Sequence, residues 1–197
     1  MEPLIPYVQE NDYPASLQPV LEPYVRRMGF LPNALELYMH RPEIAETLWK
    51  LNSNIMRDPS STLDQNLKRR LGTVASKVNG CTYCTTHHCA ILRRSGGPGA
   101  EGWGMEDEEL RRLLRGEDEP RNEFERVCFD FVRAASADPG GVPDEIYDRL
   151  KALLTPAQIV ELACVAGFWK MYNTIHEALR VPVEEELAEF RELASAP

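Results

Sequence analysis

Residues 79–96 read Asn-Gly-Cys-Thr-Tyr-Cys-Thr-Thr-His-His-Cys-Ala-Ile-Leu-Arg-Arg-Ser-Gly. Asn79-Gly80 interrupts the pattern before them, and Ser95-Gly96-Gly97 ends the one that follows. The stretch between reads as a helix of about four turns with Cys81 and Cys84 in its first turn. Two thiols three residues apart on such a turn can close a disulfide or bind a metal. His88, four residues after Cys84, falls on the same helix face and can exchange a proton with that thiol. Unpaired N–H groups and the positive end of the helix dipole favour thiolate there.

The segment that delivers this motif is the most regular in the chain. Leu63, Leu67, Leu71, Val74, Ala75 and Val78 form one apolar stripe at helical spacing, and Ser61-x-x-Asp64 resembles a capping arrangement at its start. That helix belongs to the core. Arg69, Thr73, Ser76 and Gly80 run along a second line of it.

Upstream, prolines at 3, 6, 14, 19 and 23 predict an extended arm over residues 1–23. The arm carries Leu4, Ile5, Tyr7, Val8 and Tyr13, and it is expected to lie over a neighbouring subunit. Gly29 to Asn33 leads into a helix at Ala34 to Met39. A further helix follows Arg41-Pro42 with Ile44, Leu48, Leu51 and Ile55 on its inner face. Downstream, residues 95–104 are glycine-rich. They lack the terminal Lys-Ser/Thr of a phosphate loop and read as a connector, or as a lid beside the thiols with Trp103 at its tip. Helices are predicted over 105–115, 123–135 and 143–154. Thr155-Pro156-Ala157-Gln158 then starts a long one that reaches about Leu179, with Ile159, Leu162, Ala163, Ala166 and Trp169 inside. Pro182 opens a last, acidic helix. No stretch alternates with period two, so the fold class is all-α, as a single domain over residues 1–197. Aligning Ala75 with Ala163 brings His88 onto His176, Cys81 onto Trp169 and Cys84 onto Tyr172, a weak repeat that suggests two related helical halves.

Composition sets outer bounds. The chain has 197 residues, 43% hydrophobic and 27% charged, with net charge −9. That charge argues against a general nucleic-acid binder or a binder of anionic membranes. No apolar run approaches the roughly 20 residues of a membrane helix, and no signal peptide is visible, so the cytoplasm is the expected location. Five cysteines at 81, 84, 89, 128 and 164 do not form a secreted disulfide framework. Cys128 and Cys164 read as small buried hydrophobes, and Cys89 as a bystander on another helix face.

Three chemistries suit Cys81, Cys84 and His88. The first is a redox thiol pair, in which a thiolate becomes sulfenic acid and its neighbour resolves it to a disulfide. The second is zinc, for which a fourth ligand and a second, distant pair are missing, so no stoichiometric zinc and no cofactor are expected. The third is coincidence. Haem attachment is excluded because Thr85 follows Cys84.

Val74-Ala75-Ser76-x-x-Asn79-Gly80-Cys81-Thr82-Tyr83-Cys84-x-x-x-His88 resembles the signature of the alkylhydroperoxidase D-like, carboxymuconolactone decarboxylase superfamily. Gly29-Phe30-Leu31-Pro32-Asn33 with Arg41-Pro42 is similar to that family's N-terminal part. Leu154 to Pro182 is similar to the close of its uncharacterised peroxidase-related branch. The resemblance implies an all-helical homo-oligomer, commonly a trimer or hexamer, that reduces hydroperoxides and is recharged by a dithiol reductant. It assigns Cys84 as the attacking thiol, Cys81 as the resolving thiol and His88 as the relay base, whereas the helix dipole alone favours Cys81 as the more acidic thiol. Two positions depart from the pattern. Arg69 stands where the family places its relay glutamate, and Tyr83 stands where a second histidine is common. Arg69 is then either a thiolate stabiliser or a surface residue, and Glu161 is the best substitute carboxylate or else a solvated charge on its helix. Decarboxylase or lactone chemistry on a small carboxylated ring, with His88 as acid–base and Arg69 on the carboxylate, is the alternative activity. A redox sensor without turnover fits the same thiols.

Overall fold

An aspartate sets the start of the central helix. Asp64 accepts a hydrogen bond from the Leu67 N–H at 3.0 Å, so the cap is Asp64 itself and Ser61 is left for other work. In the computed structural model, which describes residues 2–9, 12–94, 103–117 and 120–195 (without the side chains of 20, 23, 24, 27 and 28), this helix runs Gln65–Val78. Counting from the N-terminus, the helices are α1 Gln18–Met28, α2 Asn33–Tyr38, α3 Pro42–Met56, α4 Gln65–Val78, α5 Thr82–Arg93, α6 Asp107–Arg115, α7 Glu123–Ala137, α8 Asp144–Leu153, α9 Pro156–Ala178 and α10 Ala188–Ser195. There is no strand among the described residues. The fold is all-α.

Helix α4 packs against α5, α6, α7 and α9. Every residue from Asn66 to Ser76 is buried. Leu67, Leu71, Val74 and Ala75 supply the apolar side of that burial, about 1.5–3 kcal/mol for each large side chain. Val78, the last position of the predicted stripe, is exposed because the helix ends there at the surface. Gly80, at φ +74°, takes the left-handed conformation that turns the chain from α4 into α5. Helix α9 begins with a complete capping box. The Gln158 N–H reaches Thr155 Oγ1 at 3.3 Å, and the Thr155 N–H reaches Gln158 Oε1 at 2.9 Å.

Several sequence readings are corrected. The arm is shorter than residues 1–23, since a 3₁₀ turn at Ala15–Leu17 leads into α1 at Gln18. Pro19 sits in the first turn, where its missing N–H has no partner to lose, and Leu17 and Leu21 anchor the helix in the core. Ile5, Tyr7, Val8 and Tyr13 pack on their own chain's core, and the Leu4 N–H bonds the Leu179 carbonyl at 2.9 Å. Helix α3 buries Ala45, Leu48, Asn52 and Met56, while Ile44 and Leu51 face outward. Asn52 turns inward because its side chain accepts from Arg57. On α9, Ala163 and Cys164 are exposed, with Val160 and Gly167 on the same side. Residues 156–178 form one unbroken helix, so they do not repeat the α4–turn–α5 hairpin. The lid expected over 95–104 lies largely outside the described residues. Trp103 borders a cavity with Asn66 and Arg70, away from the thiols.

Candidate active site

Cys81 caps α5. It is extended at φ −87°, and its sulfur accepts the Cys84 N–H at 3.4 Å. Cys84 sits one turn into the helix, and both side chains are buried. The partner of Cys84 comes from a different element: its sulfur lies 2.9 Å from His176 Nδ1 near the end of α9. Cys81 Sγ, Cys84 Sγ and a ring nitrogen of His176 all lie within 4.8 Å of one another, and they are the group that could hold a metal among the described residues. Both cysteines are free thiols.

Aromatic rings fix the His176 imidazole. Tyr38 stacks on it at 5.8 Å between centroids, and Tyr83 and Tyr172 meet it edge-on at 4.8 and 5.5 Å. Burial drives its pKa down to about 3, so the ring is neutral at physiological pH. Burial, and then the neighbouring Cys81, push the Cys84 thiol well above its ordinary range. The resting pair is therefore a thiol in hydrogen-bond contact with a neutral imidazole. His176 Nδ1 is within reach of the Cys84 proton, so this contact could carry a proton transfer when the sulfur reacts.

His88, expected at the thiol, lies elsewhere in the same cavity. Its Nδ1 is 3.5 Å from Arg69 Nη1, and its ring meets Trp169 edge-on at 4.2 Å. Burial and then the Arg69 charge hold His88 well below its usual pKa. This arrangement depends on Gly72. A Cβ there would stand 2.5 Å from Trp169 Nε1 and 2.7 Å from His88 Cε1.

Cys84, His88, His176, Arg69 and Tyr83 line one cavity of about 90 Å³. Its wall is mostly apolar, formed by Leu48, Trp49 and Tyr172 among others, and it carries Arg57 and Arg69 but no carboxylate. Cys81 is not on that wall; it sits behind Cys84. Among the described residues, His88 Nε2, His176 Nε2 and Trp169 Nε1 are buried without a hydrogen-bond partner. All three residues border the cavity, where a bound molecule would offer partners.

Glu161 is not part of this site. It accepts from Ser61, from the Thr62 N–H and hydroxyl at 2.9 and 2.7 Å, and from Lys68 Nζ at 3.0 Å. The carboxylate beside the cavity is Glu184, which no sequence signal singled out. It accepts from the Asn33 N–H at 2.7 Å and Tyr83 Oη at 2.9 Å, and it pairs with His87 Nε2 at 2.7 Å. Burial raises its pKa, but His87 and these hydrogen bonds outweigh that and keep it ionised. Glu184 ties the segment before α10 to α2 and α5 and holds Tyr83 against the imidazole. His176 had one trace in the sequence, the weak alignment that set it against His88.

The pattern of the carboxymuconolactone decarboxylase family matches residues 42–102, which span α3, α4, α5 and Cys81, Cys84 and His88. No curated protein sequence matches the chain. Among solved structures, the debrominase Bmp8, as a cysteine-to-alanine variant in complex with 2,3,4-tribromopyrrole, is 22% identical over 99% of both chains, with TM-score 0.81. An alkylhydroperoxidase D core, an uncharacterised peroxidase-related protein from Ralstonia eutropha JMP134, is 18% identical over 99% of this chain and 97% of its own, with TM-score 0.80. An uncharacterised peroxidase-related protein from Silicibacter sp. TM1040 is 22% identical over 94% and 91%, with TM-score 0.75. These likenesses establish the fold.

Proposed function

We propose that the chain is a thiol-dependent peroxidase of the alkylhydroperoxidase D-like, carboxymuconolactone decarboxylase superfamily, working through Cys84 and Cys81. The observation that carries the reading is the 2.9 Å approach of His176 Nδ1 to a cavity-lining Cys84 sulfur, with a second thiol just behind it. A hydroperoxide enters the cavity, and His176 takes the Cys84 proton as the sulfur attacks the distal peroxide oxygen. The O–O bond breaks, Cys84 becomes a sulfenic acid, and the proton returns to the departing alkoxide to give an alcohol. Cys81 then attacks the Cys84 sulfur, releasing water and leaving the disulfide. An external dithiol reduces the pair. The net change is one hydroperoxide and two thiols to one alcohol, one water and one disulfide.

In this scheme the base is His176, and His88 with Arg69 forms the far wall. Arg69 makes the cavity favourable to the developing alkoxide. Stopped-flow oxidation with an organic hydroperoxide tests the division of labour. Cys81→Ser should still oxidise once and accumulate sulfenic acid at Cys84, detected by mass spectrometry. Sulfenic acid at Cys81 in Cys84→Ser would reverse the roles.

A second reading has one observation in its favour. The cavity wall is apolar and aromatic, as a halogenated ring would require, and a debrominase shares the fold over its whole length. Reductive dehalogenation uses the same two electrons: one carbon–halogen bond and two thiols become one carbon–hydrogen bond, one disulfide and one hydrogen halide. Halide release from a bromopyrrole, with no turnover of hydroperoxide, would select it.

A further inference from the structure

The sequence offers a half-site for a metal, and the fold supplies what the sequence lacked. Cys81 Sγ, Cys84 Sγ and a ring nitrogen of His176 come from the start of α5 and the end of α9, and they converge within 4.8 Å. Two sulfurs and one imidazole nitrogen are the donor set of a thiophilic, borderline-soft cation such as Zn²⁺. Donors around a tetrahedral zinc, at about 2.3 Å for sulfur and about 2.0 Å for nitrogen, stand roughly 3.5–3.8 Å apart. The Cys84–His176 separation of 2.9 Å therefore has to open by a little over half an ångström.

The imidazole is already prepared for this. In the tautomer that accepts from the Cys84 thiol, Nδ1 presents its lone pair and Nε2 carries the proton, and a ring bound to a metal through Nδ1 is that same tautomer. Tyr38, Tyr83 and Tyr172 hold its plane, so little ordering remains when a cation arrives. Cys84 and His176 border the cavity, which leaves the fourth position facing open space for a water or a small ligand.

We propose that Cys81, Cys84 and His176 form a three-ligand site for one Zn²⁺ per chain, with its fourth position open to the cavity. Binding displaces the two thiol protons to solvent. The result is two thiolates, one neutral imidazole and Zn²⁺, with net charge zero. A sulfur bound to zinc cannot enter a disulfide, so metal occupancy and the oxidised pair exclude each other. The metal site stands apart from the peroxidase reading; only its effect as an inhibitor of peroxide reduction rests on that reading.

The probe is Zn²⁺ alone, titrated into the reduced full-length chain against a chromophoric chelator. Co²⁺ substitution reports thiolate ligation through its charge-transfer absorption. The expected result is one equivalent bound with Kd at or below the micromolar range, with two thiolates in the Co²⁺ spectrum. Cys81→Ser, Cys84→Ser and His176→Gln should each weaken binding by more than the roughly 10- to 100-fold that loss of an outer-shell partner costs. Cys164→Ser, folded by circular dichroism, should bind as the parent does. A disulfide form made with diamide, which needs no peroxide chemistry, should bind nothing until it is reduced. Absence of a one-equivalent event overturns the site. So does Zn²⁺ affinity that survives His176→Gln in a folded variant, or that follows Cys164.

Discussion

Helix α9 carries two polar clusters, a partly buried one near its start and a buried one towards its end, and they differ in whether their atoms are satisfied. At the N-terminal end, Lys68 Nζ gives its three donors to the Ile55 carbonyl, Ser61 Oγ and Glu161, while Glu161 also receives Ser61 and Thr62. At the other end, His176 Nε2 and Trp169 Nε1 stand without partners beside a cavity, and the His176 Nδ1 holds a thiol. A closed polar network stabilises and has nothing left to offer a substrate; an open one is arranged for something that arrives. Glu161 is thus bonded into a closed network and His176 stands at an open one, although both sit on one helix.

The sharpest way to break this comparison is at the open end. Cys84→Ser should reduce hydroperoxide consumption to background, since no other thiol borders the cavity among the described residues. His176→Gln should slow oxidation of Cys84 by roughly 100- to 10,000-fold at neutral pH, the usual size of general-base assistance, and recover part of that loss at high pH. His88→Gln, which touches Arg69 and Trp169 but no sulfur, should cost less than about tenfold on the same general-base scale. Stopped-flow traces against pH separate the three. A larger loss for His88→Gln than for His176→Gln would return the base to its place in the sequence reading.

At the closed end the effect should move from rate to stability. Glu161→Gln leaves the wholly buried Lys68 ammonium without its counter-charge, and breaking such a pair costs about 3 kcal/mol. Denaturant unfolding should show that loss, while the oxidation rate of the folded fraction stays at the parent value. A rate loss without a stability loss would place Glu161 in the relay after all. Its carboxyl is held at about 2 by the hydrogen bonds from Ser61, Thr62 and Lys68, which outweigh the opposing effect of burial.

Local patterns were readable and distant pairings were not. Helix α4 follows from the spacing of Leu67, Leu71 and Val74, and the start of α9 from Thr155 and Gln158, because each depends on neighbours within a turn. Cys81 and Cys84 were conspicuous for the same reason. His176 lies 92 positions from Cys84, and Glu161 lies 93 from Lys68, so nothing local pairs them. The family spacing pointed to His88, which does reach the cavity. There its imidazole meets the Arg69 guanidinium and the Trp169 ring. Lys68 within an apolar stripe was an unread signal. A lysine at a core position demands a buried carboxylate, and Glu161 on another apolar helix is its complement.

The smallest effect follows from the neutral state of His176. Its folded pKa of about 3 lies below the unfolded value near 6.5, so the unfolded chain binds the extra proton between those limits. The stability this neutral ring permits is complete above pH 6.5 and is lost as pH falls toward 3. With the group buried, each pH unit below 6.5 costs about 1.4 kcal/mol, or about 2 kcal/mol between pH 7.5 and pH 5. Glu161 does not obscure this window, because its contribution, complete above its unfolded value near 4.5, declines only below that. His88, also held below its usual pKa by burial and Arg69, adds a decline of the same sign. The parent and His176→Gln should therefore be unfolded with denaturant at both pH values. The parent should lose about 2 kcal/mol more than the variant over that interval, because glutamine has no proton to take up. Equal losses would mean that the folded chain takes up a proton at His176 as readily as the unfolded one, and that burial does not hold the ring neutral at pH 5.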